Sequence, residues 1–242
     1  MALPKISYPI YEVYLKSLDR KIKFRPFLVK EEKLLLMAKE GKDIEEIVKA
    51  IKQIIRNCVL EEIDVDSLPT FDMEMFFIHL RIRSVGEAAE MIYSCSNTVT
   101  SEDGSSGQCN HKIEFNLDLN SVSYVVDPAH NQIINLSDKI GMKLNYPSLK
   151  FVDNGFFDGG DGYKYIANNI DYIFDEDQIY KREQYKEEEL KDFFESLSFD
   201  QIKQIRVFFE TTPKVAMNQD VTCPKCGHVH NISVEGLLNF FE

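Results

Sequence analysis

The chain has 242 residues, and 28 Lys and Arg against 40 Asp and Glu give it a formal net charge of −12 at pH 7. Its 44% hydrophobic and 28% charged residues are typical of globular proteins and argue against a disordered chain. The acidic balance argues against a protein that binds nucleic acid through the phosphate backbone, because that mode needs a surplus of Lys and Arg. No apolar run approaches the roughly 20 residues that span a bilayer, and the N-terminus lacks the apolar run of a secretory signal. We therefore expect a soluble, cytoplasmic protein with no membrane association.

The first third of the chain is predicted to be mostly helical. Residues 11–25 alternate as in a β-hairpin, and a charged amphipathic stretch follows at 30–39. Apolar residues then recur at helical spacing over 43–58, where Asp43 is suited to the N-cap position. Thr70 can begin a third helix, which is rich in apolar residues.

The middle of the chain is predicted to contain strands. Residues 88–94 look extended, and strict alternation of apolar and polar residues over 113–120 is typical of a half-buried strand. Between them, Ser96–Gln108 is rich in Ser, Thr, Gly and Asp and is interpreted as a solvated loop. A short strand is expected at Lys139–Leu144.

The last third is predicted to return to helices before it ends in two strands. The helices are expected at Tyr163–Phe174, Lys186–Leu197 and Phe199–Thr211, and the strands at Val215–Val221 and Val229–Val234.

Five cysteines occur in the chain, and their odd number, without an export signal, argues for reduced thiols and against a disulfide framework. Cys58 continues the apolar pattern of the helix over 43–58, so we interpret it as a small buried hydrophobe. The other four cysteines carry the clearest chemistry in the sequence.

Cys223 and Cys226 form a Cys-x-x-Cys-Gly motif, a spacing at which two thiolates can point at one metal ion. Gly227 after the second cysteine permits the turn that brings backbone amides near the sulfur atoms. A redox role is disfavoured, because thioredoxin-like motifs lie where a strand passes into a helix and this motif lies between two short extended segments.

A structural zinc ion needs four ligands, and Cys95 and Cys109 are the natural second pair because each ends a predicted strand. The predicted site is thus formed by Cys95, Cys109, Cys223 and Cys226 at two hairpin tips, as in a zinc ribbon. The first pair is unusual, since 13 residues separate its cysteines. Three histidines are competing ligands that can replace one thiolate: His111, His228 and His230.

Four thiolates close the coordination shell, whereas catalytic zinc keeps an open position, so this Zn²⁺ site is predicted to be structural. The sequence contains no HExxH, GxSxG, P-loop or GxGxxG motif. We therefore predict that the protein is not an enzyme. Paired phenylalanines supply candidate anchors for a protein partner, namely Phe208-Phe209 and Phe240-Phe241.

A series of short motifs runs in order through nearly the whole chain. They are Lys23-Phe-Arg-Pro-Phe27, Lys30-Glu-Glu-Lys33 with Leu34–Met37, Ile54-Ile-Arg-Asn-Cys58, Leu68-Pro-Thr-Phe-Asp72, Leu80-Arg-Ile-Arg-Ser-Val-Gly-Glu87, Gly141-Met-Lys-Leu144 with Tyr146-Pro147, Phe208-Phe-Glu-Thr-Thr-Pro213, and Cys223-x-x-Cys226 ahead of Gly236-Leu-Leu-Asn-Phe-Phe241. In this order they resemble the baseplate hub family of T4-like bacteriophages.

The resemblance implies a virus-encoded structural or assembly protein of the contractile tail baseplate, near the hub and wedges. Such a protein acts through contacts with other phage baseplate and tail proteins, in the host cytoplasm during assembly or in the virion baseplate. The alternative from the motifs themselves is a zinc-ribbon nucleic-acid-binding or transcription-regulatory protein. Lys225 is the only basic side chain within the second cysteine motif, beside neutral histidines, which disfavours that alternative.

The predicted fold class is α+β, with a mostly helical body, short antiparallel strands and a discontinuous pair of zinc-ribbon-like hairpins. We expect one domain over 1–242. The ribbon-like part is assigned to 88–120 and 215–235, and the helical body to 27–87 and 163–212.

Overall fold

A computed structural model describes residues 6–41, 43–100, 104–148 and 162–236. Within these ranges the helices are α1 (Val29–Gly41), α2 (Ile44–Cys58), α3 (Thr70–Ser84), α4 (Gly162–Asn168), α5 (Glu187–Glu195) and α6 (Phe199–Thr211). The strands are β1 (Tyr11–Leu15), β2 (Arg20–Phe24), β3 (Ala88–Ser94), β4 (Thr98–Thr100), β5 (Ser106–Gln108), β6 (Lys112–Asp118), β7 (Ser123–Val125), β8 (Ile133–Asn135), β9 (Gly141–Leu144), β10 (Ile170–Phe174), β11 (Ile179–Lys181), β12 (Lys214–Thr222) and β13 (Val229–Glu235). Helices and short antiparallel strands thus make up an α+β fold.

Within the described ranges, the strands form five small sheets. Their orders are β1-β2, β3-β6, β4-β5, β13-β12-β7 and β11-β10-β9-β8. Among the described residues, no helix has the length and apolarity to cross a membrane.

The chain divides into two compact units. The first unit comprises Met1–Val65, Phe71–Tyr124 and Lys214–Glu242, and the second comprises Asp66–Thr70 and Val125–Pro213. The helical body expected from 27–87 and 163–212 draws on residues of both units. A single domain over 1–242 stays a prediction.

The core of the first unit is organised around α3, which is apolar on most sides and buried over most of its length. Its Asp72 is fully buried and accepts hydrogen bonds from the backbone N–H groups of Lys16 (2.9 Å) and Ser17 (2.8 Å). The Tyr124 hydroxyl donates to the same carboxylate at 2.6 Å. A buried carboxylate is tolerated where donors satisfy its oxygens, so Asp72 fixes the end of the β1-β2 hairpin on α3.

Helix α2 follows from local signals in the sequence. The side chain of Asp43 accepts from the N–H of Glu45 at 2.9 Å, which confirms its N-cap role. On the buried face of α2, Cys58 has no exposed surface, and burial raises the pKa of its thiol to about 11. The interpretation of Cys58 as a buried hydrophobe is therefore confirmed.

The second unit packs α5 and α6 against the sheet β11-β10-β9-β8. Its core consists of apolar side chains from these elements, from α4 and from the residue that follows β8: Ile134, Leu136, Met142, Leu144, Ile166, Ala167, Ile170, Leu190, Phe194, Ile205 and Phe208. Helix α6 begins with a capping box, in which Ser198 N–H donates to Gln201 Oε1 at 2.8 Å and Gln201 N–H donates to Ser198 Oγ at 3.3 Å.

The helix predicted over Tyr163–Phe174 is wrong in its second half. Helix α4 ends at Asn168, and Ile170–Phe174 form β10, which pairs with both β9 and β11. The side-chain amide of Asn169 donates to Tyr165 O at 2.8 Å, just beyond the end of the helix. The apolar pattern fits a helix and a strand equally, and pairing with two neighbours decides for the strand.

Two further expectations need correction. The predicted loop Ser96–Gln108 contains the hairpin β4-β5. In the candidate anchor pair Phe208-Phe209, Phe208 is 2% exposed and belongs to the core of the second unit, and Phe209 is partly buried against that core. The other proposed anchor, Phe240-Phe241, lies outside the described residues.

Candidate metal centre

The four cysteines that the sequence predicts to be metal ligands lie together in the first unit. The Sγ atoms of Cys95, Cys109, Cys223 and Cys226 all lie within 4.8 Å of one another, and three of the four residues are buried. Two of the sulfur pairs are 3.7 Å (Cys95–Cys226) and 3.9 Å (Cys109–Cys223) apart. A tetrahedron with metal–sulfur distances of about 2.3 Å places its sulfur atoms about 3.8 Å apart. The cluster therefore has the dimensions needed to hold one metal ion.

Antiparallel pairing brings the cysteines together. In the β3-β6 ladder the last pair is Ser94↔Lys112, and in the β12-β13 ladder it is Thr222↔Val229. Each ladder therefore ends close to its two cysteines. Gln219 on β12 joins the two ladders, since its side chain accepts from Asp118 N–H at 3.1 Å and donates to Asn116 O at 3.0 Å.

We call residues 95–111 the first knuckle and residues 223–228 the second knuckle. Two backbone hydrogen bonds occur at matching positions in both. In the first knuckle, Cys95 N–H donates to His111 O (2.9 Å) and Asn110 N–H donates to Cys95 O (3.0 Å). In the second, Cys223 N–H donates to His228 O (2.8 Å) and Gly227 N–H donates to Cys223 O (2.9 Å). The residue after the second cysteine is left-handed in both knuckles, with φ of 49° at Asn110 and 71° at Gly227. The two knuckles thus share one backbone design.

The hairpin β4-β5 accounts for the long spacing in the first knuckle. The N–H of Cys109 donates to Asn97 O at 2.8 Å, and the next pair outward is Thr98↔Gln108. Residues 98–108 are therefore an insertion whose two ends meet at Asn97 and Cys109. Without them, the first knuckle would be a Cys-x-x-Cys motif like the second.

Hydrogen bonding and burial shift the pKa values of two of the four thiols in opposite directions. The backbone N–H of His228 donates to Cys226 and lowers the pKa of that thiol to about 6. Burial raises the pKa of Cys95 to about 12, although the backbone N–H of Asn97 acts in the opposite direction. Cys226 is also the most exposed of the four cysteines.

Two of the three competing histidines, His228 and His230, lie beside the cluster. In the part of the chain that the structure describes, the group of potential ligand atoms comprises the four sulfur atoms and no histidine nitrogen. His230 Nε2 lies 3.1 Å from Cys95 Sγ. His228 packs edge to face on the His230 ring, with centroids 4.6 Å apart.

Comparison with known proteins decides the family. The chain matches the family described as T4 bacteriophage base plate protein over residues 8–242. It belongs to that family. A relative, the baseplate hub assembly protein gp26 of Enterobacteria phage T4, is 27% identical over 221 residues, which cover 91% of this chain and 92% of the relative. No solved structure matches the chain significantly.

Membership in the base plate family confirms the resemblance inferred from the ordered motifs. It supports a structural or assembly role in a phage baseplate, and such a role suggests a protein that is not an enzyme.

Sequence reasoning on this base plate family member missed the side chains around the sulfur atoms. Asn97 Nδ2 lies 3.6 Å from Cys226 Sγ, and His230 Nε2 lies 3.1 Å from Cys95 Sγ. The sequence holds no signal for these two contacts, but it does hold one for the equivalence of the knuckles. Both end in Cys-x-His, at Cys109-Asn-His111 and Cys226-Gly-His228. The repeat indicates that Cys109 and Cys226 occupy equivalent positions.

Proposed function

We propose that this protein is a structural or assembly component of the hub region of a contractile phage tail baseplate. It acts through contacts with other baseplate and tail proteins and holds a structural zinc ion. The observation that carries the proposal is the family match over residues 8–242. The name of the T4 relative, a baseplate hub assembly protein, supports the position near the hub.

The cysteine cluster supports zinc as the metal and Cys95, Cys109, Cys223 and Cys226 as its ligands. Thiolate sulfur favours zinc over the oxygen-seeking cations magnesium and calcium. Four sulfur ligands in a mostly buried cluster leave no coordination position for a substrate. When bound, zinc joins two hairpins that are more than a hundred residues apart in the chain. Its role is thus to stabilise the fold.

The exposed surface of α1 supports a function in protein recognition. This helix buries only Glu31 and Ala38 on one narrow stripe. Its large apolar side chains Leu36 and Met37 are 54% and 70% exposed. Exposed apolar side chains that are grouped on one element are typical of proteins that associate with others.

The proposed partners are baseplate proteins of the same phage, met in the host cytoplasm during assembly or in the completed tail, and the proposed role is not that of an enzyme. A direct test co-expresses the tagged full-length chain with those proteins and purifies the complexes after nuclease treatment. We expect a stable complex with at least one baseplate protein and little DNA binding at physiological salt. The double variant L36E/M37E tests the α1 surface against the wild-type chain. It should fold and recover less of the baseplate partner.

The competing function is a zinc-ribbon nucleic-acid module. It would be supported by tight DNA binding that falls steeply with added salt, together with no recovered baseplate partner. That outcome would contradict the proposed function even if zinc is present.

A further inference from the structure

Two side chains, one in the first knuckle and one just beyond the second, each direct a nitrogen atom at a cysteine of the opposite knuckle. His230, just beyond the second knuckle, places Nε2 at 3.1 Å from Sγ of Cys95. Asn97, in the first knuckle, places Nδ2 at 3.6 Å from Sγ of Cys226. The two sulfur atoms concerned are 3.7 Å apart. The two contacts therefore cross over one edge of the cluster.

The position of the His230 ring is fixed by its surroundings. His230 pairs with Val221 in the β12-β13 ladder and is 7% exposed. Its ring packs against Tyr93, with centroids 5.0 Å apart, and against His228. Packing by two aromatic neighbours leaves the ring little rotational freedom, so the direction of Nε2 is set by the fold.

Metal binding by Cys95 would determine whether His230 Nε2 or the Cys95 sulfur carries the hydrogen between them. A cysteine that binds a metal does so as a thiolate, which has no hydrogen to donate. The hydrogen between Nε2 and the Cys95 sulfur must then belong to His230, which makes His230 the donor. Asn97 donates through its amide in the same way.

These donors meet an electrostatic need of the site. A divalent metal with four thiolates leaves two negative charges uncompensated, and three of the four cysteines are buried. Buried charge is tolerated only where hydrogen bonds offset the loss of water. Cys95 and Cys226 each receive a backbone donor, from Asn97 and His228 respectively, and each then receives one side-chain donor.

We propose that His230 and Asn97 are positioning residues of the metal centre, which hold the thiolates of Cys95 and Cys226 on the metal and slow its release. The inference rests on the proposed zinc site and assigns no new ligand. Partners of this kind around metal ligands change metal affinity by about 10- to 100-fold when they are replaced. We expect a release rate about 10-fold higher when the His230 donor is removed.

The experiment measures zinc release from purified full-length protein to the chromogenic chelator 4-(2-pyridylazo)resorcinol. His230→Phe keeps an aromatic ring against Tyr93 but removes the donor, and it should release zinc faster. His230→Gln restores a donor and should release zinc more slowly than His230→Phe. The matched control is His130→Phe, which removes a histidine nitrogen bonded to Thr211 Oγ1 in the second unit and should release zinc at the wild-type rate.

Cobalt substitution separates positioning from coordination. His230→Phe should keep the thiolate-to-cobalt charge-transfer intensity of four sulfur ligands, because His230 binds no metal. A changed coordination spectrum would make His230 a ligand and overturn the proposal. Release by His230→Phe no faster than by the control would also overturn it. If His230→Phe does not fold, Asn97→Ala decides in the same assay: faster release supports the donor pair, and an unchanged rate refutes it.

Wild-type zinc content keeps this result separate from the proposed site itself. Protein prepared without chelators that contains no zinc refutes the metal site, and the positioning role falls with it. Protein that contains zinc but releases it equally in all variants retains the site and loses only the inference about His230 and Asn97.

Discussion

The two knuckles hold their cysteines in the same backbone geometry although their sequences differ. In the second knuckle two residues separate the cysteines, and glycine supplies the left-handed position at 227. In the first knuckle 13 residues separate them, and asparagine supplies that position at 110. Both close with the same pair of backbone hydrogen bonds. The comparison teaches that the backbone at the ends of a knuckle defines it, while the number of residues between its cysteines can vary.

The largest expected effect comes from removing one sulfur ligand. If the knuckles contribute equally to one site, Cys95→Ser and Cys226→Ser should both lose the metal. Each should lower the free energy of unfolding by several kcal/mol, because structural zinc supplies about 10–16 kcal/mol of apparent binding energy. Metal analysis and thermal unfolding of the two variants test this. A loss of zinc in Cys226→Ser alone would mean that the first knuckle is not part of the site.

The control for this pair is Cys58→Ser, which, like Cys95→Ser, places a hydroxyl at a buried cysteine position. Cys58 lies outside the cluster, on the buried face of α2. We expect full zinc content and a loss of about 1–3 kcal/mol from burial of the hydroxyl. Chemical denaturation gives the free energy of unfolding. A loss as large as that of the Cys226 variant would show that the effect at Cys226 is ordinary core damage.

Local signals predict one part of the fold well, and pairing between distant segments determines the rest. The bounds of α6 follow from the capping box at Ser198 and the following Pro213, so the prediction of Phe199–Thr211 agrees with the structure. The strand β10 depends on pairing with β9, which lies earlier in the chain, and no local pattern separates it from a continued helix. The weak apolar pattern of β4 and β5 likewise concealed a hairpin.

The candidate site divides in the same way. The sequence identifies four cysteines because their chemistry is distinctive and two of them have metal-ligand spacing. The contacts of Asn97 and His230 with sulfur could not be predicted, because each depends on how the two ladders lie side by side. Cysteine identity is thus a local signal, whereas the hydrogen bonds to the sulfur atoms belong to the folded structure.

A smaller effect is expected at the left-handed residues that follow Cys109 and Cys226. Gly227→Ala should lower stability by about 1–2 kcal/mol, because a side chain disfavours positive φ even where no neighbouring atom lies within 4 Å. Asn110→Gly should be neutral or slightly stabilising, because glycine adopts this conformation freely. Thermal unfolding of both variants with zinc bound tests the equivalence. A marked loss of stability in Asn110→Gly would show that the asparagine side chain has a role that the second knuckle lacks.

The smallest effect is expected from removal of the β4-β5 insertion, although that change deletes 11 residues. Deleting 98–108 would join Asn97 directly to Cys109, and the existing hydrogen bond between these two residues shows that the chain ends already meet. Shortening a closed loop changes the free energy of unfolding only modestly, by about 0.6 kcal/mol for each doubling of length. The exception is Val99, whose partly buried side chain packs against the cysteine cluster and would be lost. We therefore expect full zinc content, a small drop in melting temperature and a Cys-x-x-Cys motif at each knuckle. Loss of zinc by the shortened chain would mean that the insertion is part of the metal site and that the two knuckles are not built alike.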